Sequence, residues 1–120
     1  MYAGFCLVDK AGNVQYYIHM KILCEVSARH VHLRKDDLET LFGQGVDLEL
    51  ERKLSQPGQF LATQRVTLMG PKREMEEVAV LGPVRSECQV ELSRTDCFAL
   101  GIRAELRLSG NLQGTPSIII

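Results

Sequence analysis

The chain contains no tryptophan, and aromatic residues make up only 6% of it. Stacking platforms for single-stranded nucleic acid are built from such rings, so their scarcity argues against that class of function. Neither sign of charge is in excess: 14 Lys+Arg stand against 15 Asp+Glu, a formal net charge of -1. Binding to duplex nucleic acid or to an anionic membrane surface therefore lacks its usual electrostatic drive. No apolar run approaches the length of a membrane span, and Met1-Tyr2-Ala3-Gly4 does not open a charged segment followed by an apolar signal core. A cytoplasmic protein with no nucleic-acid and no membrane partner is expected. The four cysteines, Cys6, Cys24, Cys88 and Cys97, form no CxxC pair. They are expected as reduced, buried thiols.

What is present suits one compact domain, since 120 residues, 45% of them hydrophobic, suffice for a single core. Short apolar and β-branched stretches recur, separated by Pro57-Gly58, Gly70-Pro71, Gly82-Pro83 and Gly110. Strands are predicted over 5–8 and 14–20, flanking the turn-formers Asp9-Lys10-Ala11-Gly12-Asn13 as a hairpin extension spanning 1–20. More are predicted over 21–27, 29–33, 46–53, 60–69, 77–81, 89–92, 102–108 and 118–120. Within 46–53 the alternation is strict, with Val46, Leu48 and Leu50 set against Asp47, Glu49 and Glu51. A helix is predicted over 36–42, with Leu38, Leu41 and Phe42 turned to the core, Asp36 and Asp37 opposing the dipole of the first turn, and Gly43 as its stop. A second short helix is predicted from Ser93, which caps at Asp96, to Gly101. The expected fold is mainly β: a small β-barrel over 21–120 with one or two short helices.

Chemistry concentrates at a few positions. If 29–33 is extended, His30 and His32 share one face of the sheet, so both imidazoles converge while Val31 turns to the other face. That spacing makes half of a metal site; the plain alternative is a pair of hydrogen-bonded strand histidines. A third ligand is needed, and Glu91, Cys24 and Cys88 are all candidates, because zinc accepts carboxylate or thiolate beside imidazole. Arg85 follows Gly82-Pro83 at the end of an apolar strand, where its planar guanidinium suits phosphate. Lys72 and Arg73 are candidates for a phosphorylated ligand, although the adjacent Glu74, Glu76 and Glu77 fit a solvated hairpin tip equally well. Ser109-Gly110-Asn111 reads either as a set of binding backbone amides or as an ordinary turn.

These residues fall into a longer pattern. The string Val26-Ser27-Ala28-Arg29-His30-Val31-His32-Leu33, followed by Asp37-Leu38-Glu39 and Leu41-Phe42-Gly43, resembles the opening motif of the PduL-type phosphotransacylases, the phosphate propanoyltransferases. The resemblance continues through Pro57-Gly58-Gln59-Phe60, Val66-Thr67-Leu68, Gly70-Pro71-Lys72, Val80-Leu81-Gly82-Pro83 with Arg85, and Gln89-Val90-Glu91. Ser93, Thr95-Asp96, Leu100-Gly101 and Arg107 with Ser109-Gly110 extend it, so that it covers about residues 21–120. It implies a β-barrel enzyme that exchanges acyl-CoA and phosphate for acyl phosphate and coenzyme A. It also implies zinc held by His30, His32 and Glu91, Arg85 as the catalytic arginine, and coenzyme A contacts at Lys72, Ser109 and Asn111. Three protein ligands leave the fourth tetrahedral position open, as a catalytic zinc requires.

The family carries two related barrel domains in tandem, the second with a further histidine motif for a second metal, and that second domain is expected to be absent here. Beside His30 and His32 only His19 remains of the 3 histidines. It is read as a strand residue, because Tyr17-Ile18-His19-Met20 lacks the leading Arg-His of the second motif. Glu105 stands where the family pattern has proline and Asn111 where it has aspartate. A homodimer is therefore expected, and the apolar ending Ile118-Ile119-Ile120 fits such association. The alternatives are a non-catalytic half-domain that binds zinc and coenzyme A, and a truncated remnant. Relatives bound for the lumen of a bacterial microcompartment tend to carry an amphipathic N-terminal helix, whereas residues 1–20 read as a hairpin.

Overall fold

A computed structural model describes residues 5–8, 10–12, 14–17, 21, 22, 27 and 29–120. His19, Cys24 and the predicted strand segments at 18–20 and 23–26 lie outside the described residues. Strands β1 (Phe5–Val8) and β2 (Val14–Tyr17) pair antiparallel as a hairpin. The main sheet contains β3 (His30–His32), β4 (Leu50–Lys53), β5 (Phe60–Met69), β6 (Glu74–Gly82) and β7 (Gln89–Glu91), in the order β4-β5-β6-β3-β7. Its pairs are antiparallel except that β3 runs parallel to β6. Among the described residues there are also two short helices, α1 (Lys35–Phe42) and α2 (Arg94–Leu100). The chain is thus mainly β with two short helices. The sheet ends at β4 and β7, which do not pair with each other among the described residues, so a barrel is approached rather than closed.

The core follows from period-2 burial. Ala62, Val66 and Leu68 of β5 and Val78 and Val80 of β6 turn inward with Val31, and Leu33, Leu38 and Leu100 close over them. Helix α1 buries Leu38 and packs Phe42 on the core, but Leu41 is 39% exposed, so only one of the two leucines faces down. In α2 the Ser93 side chain accepts from the Asp96 N–H while the Asp96 carboxylate accepts from the Ser93 N–H, a complete capping box. Gly101 ends α2 in the left-handed region at φ 82, where a side chain would be strained. At Gly82 the reason is space: the Phe60 ring lies where a Cβ would sit.

Strand boundaries differ from the pattern where non-local groups decide them. β6 starts at Glu74 instead of 77, because Glu76 and Glu77 together oppose Thr67 in a bulge, with Glu77 at φ 55, and the bulge interrupts the alternation. β4 is confined to Leu50–Lys53. Ahead of it the Gln64 side chain replaces ladder bonds, accepting the Glu49 N–H and donating to the Asp47 carbonyl. Residues 102–108 form no strand, and 118–120 contributes a single bridge, Met69 to Ile119. No helix among the described residues is long and apolar enough to cross a membrane.

Candidate active site

The β3–β7 ladder builds the site. His30 lies opposite Glu91 and His32 opposite Gln89, with Val31 against Val90 between them. Alternate residues share a face, so four polar side chains gather on one side of the pair and the two valines on the other. β3 is hydrogen-bonded on both edges, to β6 and to β7, which fixes the register of the two imidazoles.

His30 Nε2 stands 3.4 Å from Glu91 Oε2, and His32 Nε2 stands 3.8 Å from Glu91 Oε1. The two rings meet edge to face, with centroids 4.9 Å apart and planes at 87°. One ligand atom from each of the three residues lies within 4.8 Å of the others. His32 is held neutral: burial first, then the Arg85 charge, then His30 lower its pKa from 6.5 to about 4, against an opposing pull from Glu91. Its Nδ1 is buried without a hydrogen-bond partner. A neutral imidazole protonated at Nδ1 offers its Nε2 lone pair to a cation, and two such nitrogens with one carboxylate form a donor set that suits zinc and accepts cobalt or iron. The residues present fit such an ion.

Arg85 reaches the same place from the turn after β6. Its N–H donates to the Leu33 carbonyl at 2.9 Å, just beyond β3, and Nη1 lies 3.4 Å from Ser109 Oγ. Gln89, 7% exposed, donates from Nε2 to Glu91 Oε1 at 2.7 Å and to Ser109 Oγ at 3.0 Å. A cleft of about 290 Å³ opens beside Glu91, lined by Ser27, Arg29, Leu92, Ser93 and Asp96. Across it the half-exposed Arg29 pairs with the buried Asp96 at 2.8 Å.

The fold therefore brings His30, His32, Glu91, Arg85 and Ser109 together. Lys72 stands elsewhere, at the C-terminal end of α2. There its N–H donates to the Leu100 carbonyl and its Nζ lies 4.7 Å from the centre of the Phe98 ring. The N–H groups of Gly110 and Asn111 are engaged within the chain, by Gln89 Oε1 and the Leu108 carbonyl. Cys88 donates its thiol to Asp37 Oδ2 at 2.9 Å, and burial with that bond pushes its pKa up, which disfavours the thiolate a metal needs. In the sequence Gln89 stands out only as part of the Gln89-Val90-Glu91 block. Its i, i+2 spacing from the acid is the signal that pointed to more.

A family profile described as phosphate propanoyltransferase matches residues 23–120. A phosphate propanoyltransferase of Thermotoga maritima is 58% identical over 99 residues, covering 82% of this chain and 47% of that protein. The Leptotrichia buccalis protein of the same name is 52% identical over 98 residues, covering 82% of this chain and 46% of the relative. That of Salmonella typhimurium is 55% identical over 93 residues, covering 78% and 44%. The chain spans about half the length of the curated relatives it matches.

Proposed function

We propose, because this chain belongs to the phosphate propanoyltransferase family, that it is a phosphate acyltransferase, interconverting acyl-CoA plus phosphate with acyl phosphate plus coenzyme A. The observation that carries the reading is the convergence of His30, His32 and Glu91 within 4.8 Å beside the Arg85 charge. His30 Nε2, His32 Nε2 and a Glu91 oxygen would hold zinc. When bound, zinc supplies Lewis-acid polarisation of the thioester carbonyl and stabilises the departing sulfur. Arg85 binds phosphate through a planar pair of donors and offsets its charge, so that a phosphate oxygen can approach the acyl carbon. The new bond joins that oxygen to the carbon, the carbon–sulfur bond breaks, and the electron pair leaves on coenzyme A sulfur. Ser109 Oγ accepts from the guanidinium Nη1 at 3.4 Å. The cleft beside Glu91 gives the acyl-CoA room to approach, and Lys72, Ser109 and Asn111 remain the candidate contacts for the rest of coenzyme A.

The functional unit in this reading is a homodimer of these mainly β domains in the cytoplasm. It is supported by the exposure of Leu106 and Leu108, 98% and 82%, on a segment with strand-like alternation. The microcompartment lumen remains the alternative address.

The test is CoA-dependent formation of acyl phosphate, with zinc content measured on the same sample. Turnover with zinc bound is expected. Arg85→Ala should lower kcat by about 10²–10³-fold, by analogy with the loss of one charge-stabilising donor, while zinc is retained. Undiminished turnover in that variant removes Arg85 from the mechanism. Zinc without any turnover selects the non-catalytic half-domain instead.

A further inference from the structure

The buried amide of Gln89 lies between the two halves of the site. Its side chain is more than nine-tenths buried, at 7% exposure, although no reacting group requires it. Both ends of the amide are engaged, with the Ser109 hydroxyl within reach of each. Nε2 donates to Glu91 Oε1 at 2.7 Å and to Ser109 Oγ at 3.0 Å, while Oε1 accepts from the Gly110 N–H at 3.0 Å and from the Ser109 hydroxyl at 3.2 Å. The partners dictate the orientation of the amide. Flipped, its oxygen would face a carboxylate and its NH₂ would face the Gly110 N–H, exchanging bonds for repulsions.

Glu91 needs such a hold. Its side chain is 38% exposed, against 9% and 2% for His30 and His32, and a long carboxylate at a cleft edge gains rotamer freedom by swinging into water. The bond from Gln89 occupies one side of Oε1 and keeps the carboxylate facing both imidazoles. A neutral amide does this without adding a second negative charge beside Glu91. The same amide meets Ser109 Oγ, which also receives Arg85 Nη1 at 3.4 Å.

We propose that Gln89 is a positioning residue that locks Glu91 in its ligating pose and, through Ser109, couples that carboxylate to the Arg85 guanidinium. The proposal rests on the zinc reading above. The role is separable from the ligands: Gln89 acts on the metal only through Glu91, so its effect disappears once Glu91 is gone.

The experiment compares zinc affinity of the full chain and its variants by competition with a chromophoric chelator, alongside visible spectra of the cobalt-loaded proteins and circular dichroism to verify folding. Gln89→Leu, which keeps volume and removes both donor and acceptor, should weaken zinc binding by about 10–100-fold and alter the cobalt ligand-field bands. In the Glu91→Ala background the same substitution should change affinity little, a non-additivity that a general structural defect does not produce. Wild-type affinity in Gln89→Leu, or an equal loss in both backgrounds, overturns the proposal. If Gln89→Leu does not fold, Ser109→Ala, which removes the support on the far side of the amide, should still weaken zinc binding; unchanged affinity there overturns it as well. Wild-type protein that binds no zinc overturns the ligand set itself and this role with it, whereas zinc bound equally by wild type and Gln89→Leu rejects Gln89 alone.

Discussion

His32 shows how burial prepares a side chain for a cation. Taking an imidazole out of water disfavours its charged form, and the neighbouring Arg85 and His30 add to that penalty. The folded-state pKa of about 4 lies below the ordinary 6.5, so between those values the unfolded chain binds more protons than the folded one. Stability of the metal-free protein is then lost as pH falls from 6.5 towards 4, by roughly 3 kcal/mol for the full shift. Urea unfolding of metal-free wild type and His32→Leu across that window should show the wild type losing more stability than the variant. Parallel pH profiles would contradict it. The histidine pair was legible in the sequence because i, i+2 spacing is local. The choice of Glu91 over Cys88 was not legible from spacing, because it depends on the β3–β7 register and on Asp37 engaging the Cys88 thiol.

At the scale of elements, α2 is held by short-range chemistry. Ser93 and Asp96 satisfy each other's backbone N–H groups, and Asp96 also anchors Arg29 at the entry to β3. Ser93→Ala should therefore cost about 1 kcal/mol, measured by urea unfolding, while Asp96→Asn should keep much of the cap and lose the ion pair. An unfolding midpoint that does not move in Ser93→Ala would contradict this. Caps, turn glycines and the helix at 36–42 were readable because they depend on neighbours a few residues away. The strands at 46–53 and 102–108 were overextended for the opposite reason: alternation tells which residues would suit a strand, not whether a partner edge exists. Gln64 substitutes for a ladder at Asp47 and Glu49, and residues 102–108 have no strand partner among the described residues.

For the whole molecule, the open sheet and the exposed apolar side chains bear on one question. Leu106, Leu108, Phe98 and Ile119 are 98%, 82%, 75% and 65% exposed, more than isolated surface apolar residues explain when Leu106 and Leu108 fall on one alternating segment. Association of two copies through 106–108 would cover Leu106 and Leu108. Sedimentation equilibrium should give a dimer, and Leu106→Lys with Leu108→Lys should shift it towards monomer. A clean monomer for the unaltered chain at working concentrations would contradict the dimer while leaving the zinc ligands untouched.

The ligand set is tested most directly by anomalous diffraction at the zinc edge from crystals grown with zinc. One peak is expected, bonded to His30 Nε2, His32 Nε2 and a Glu91 oxygen at about 2.0–2.2 Å. Zinc bound elsewhere, or no peak between those three side chains, would contradict the account.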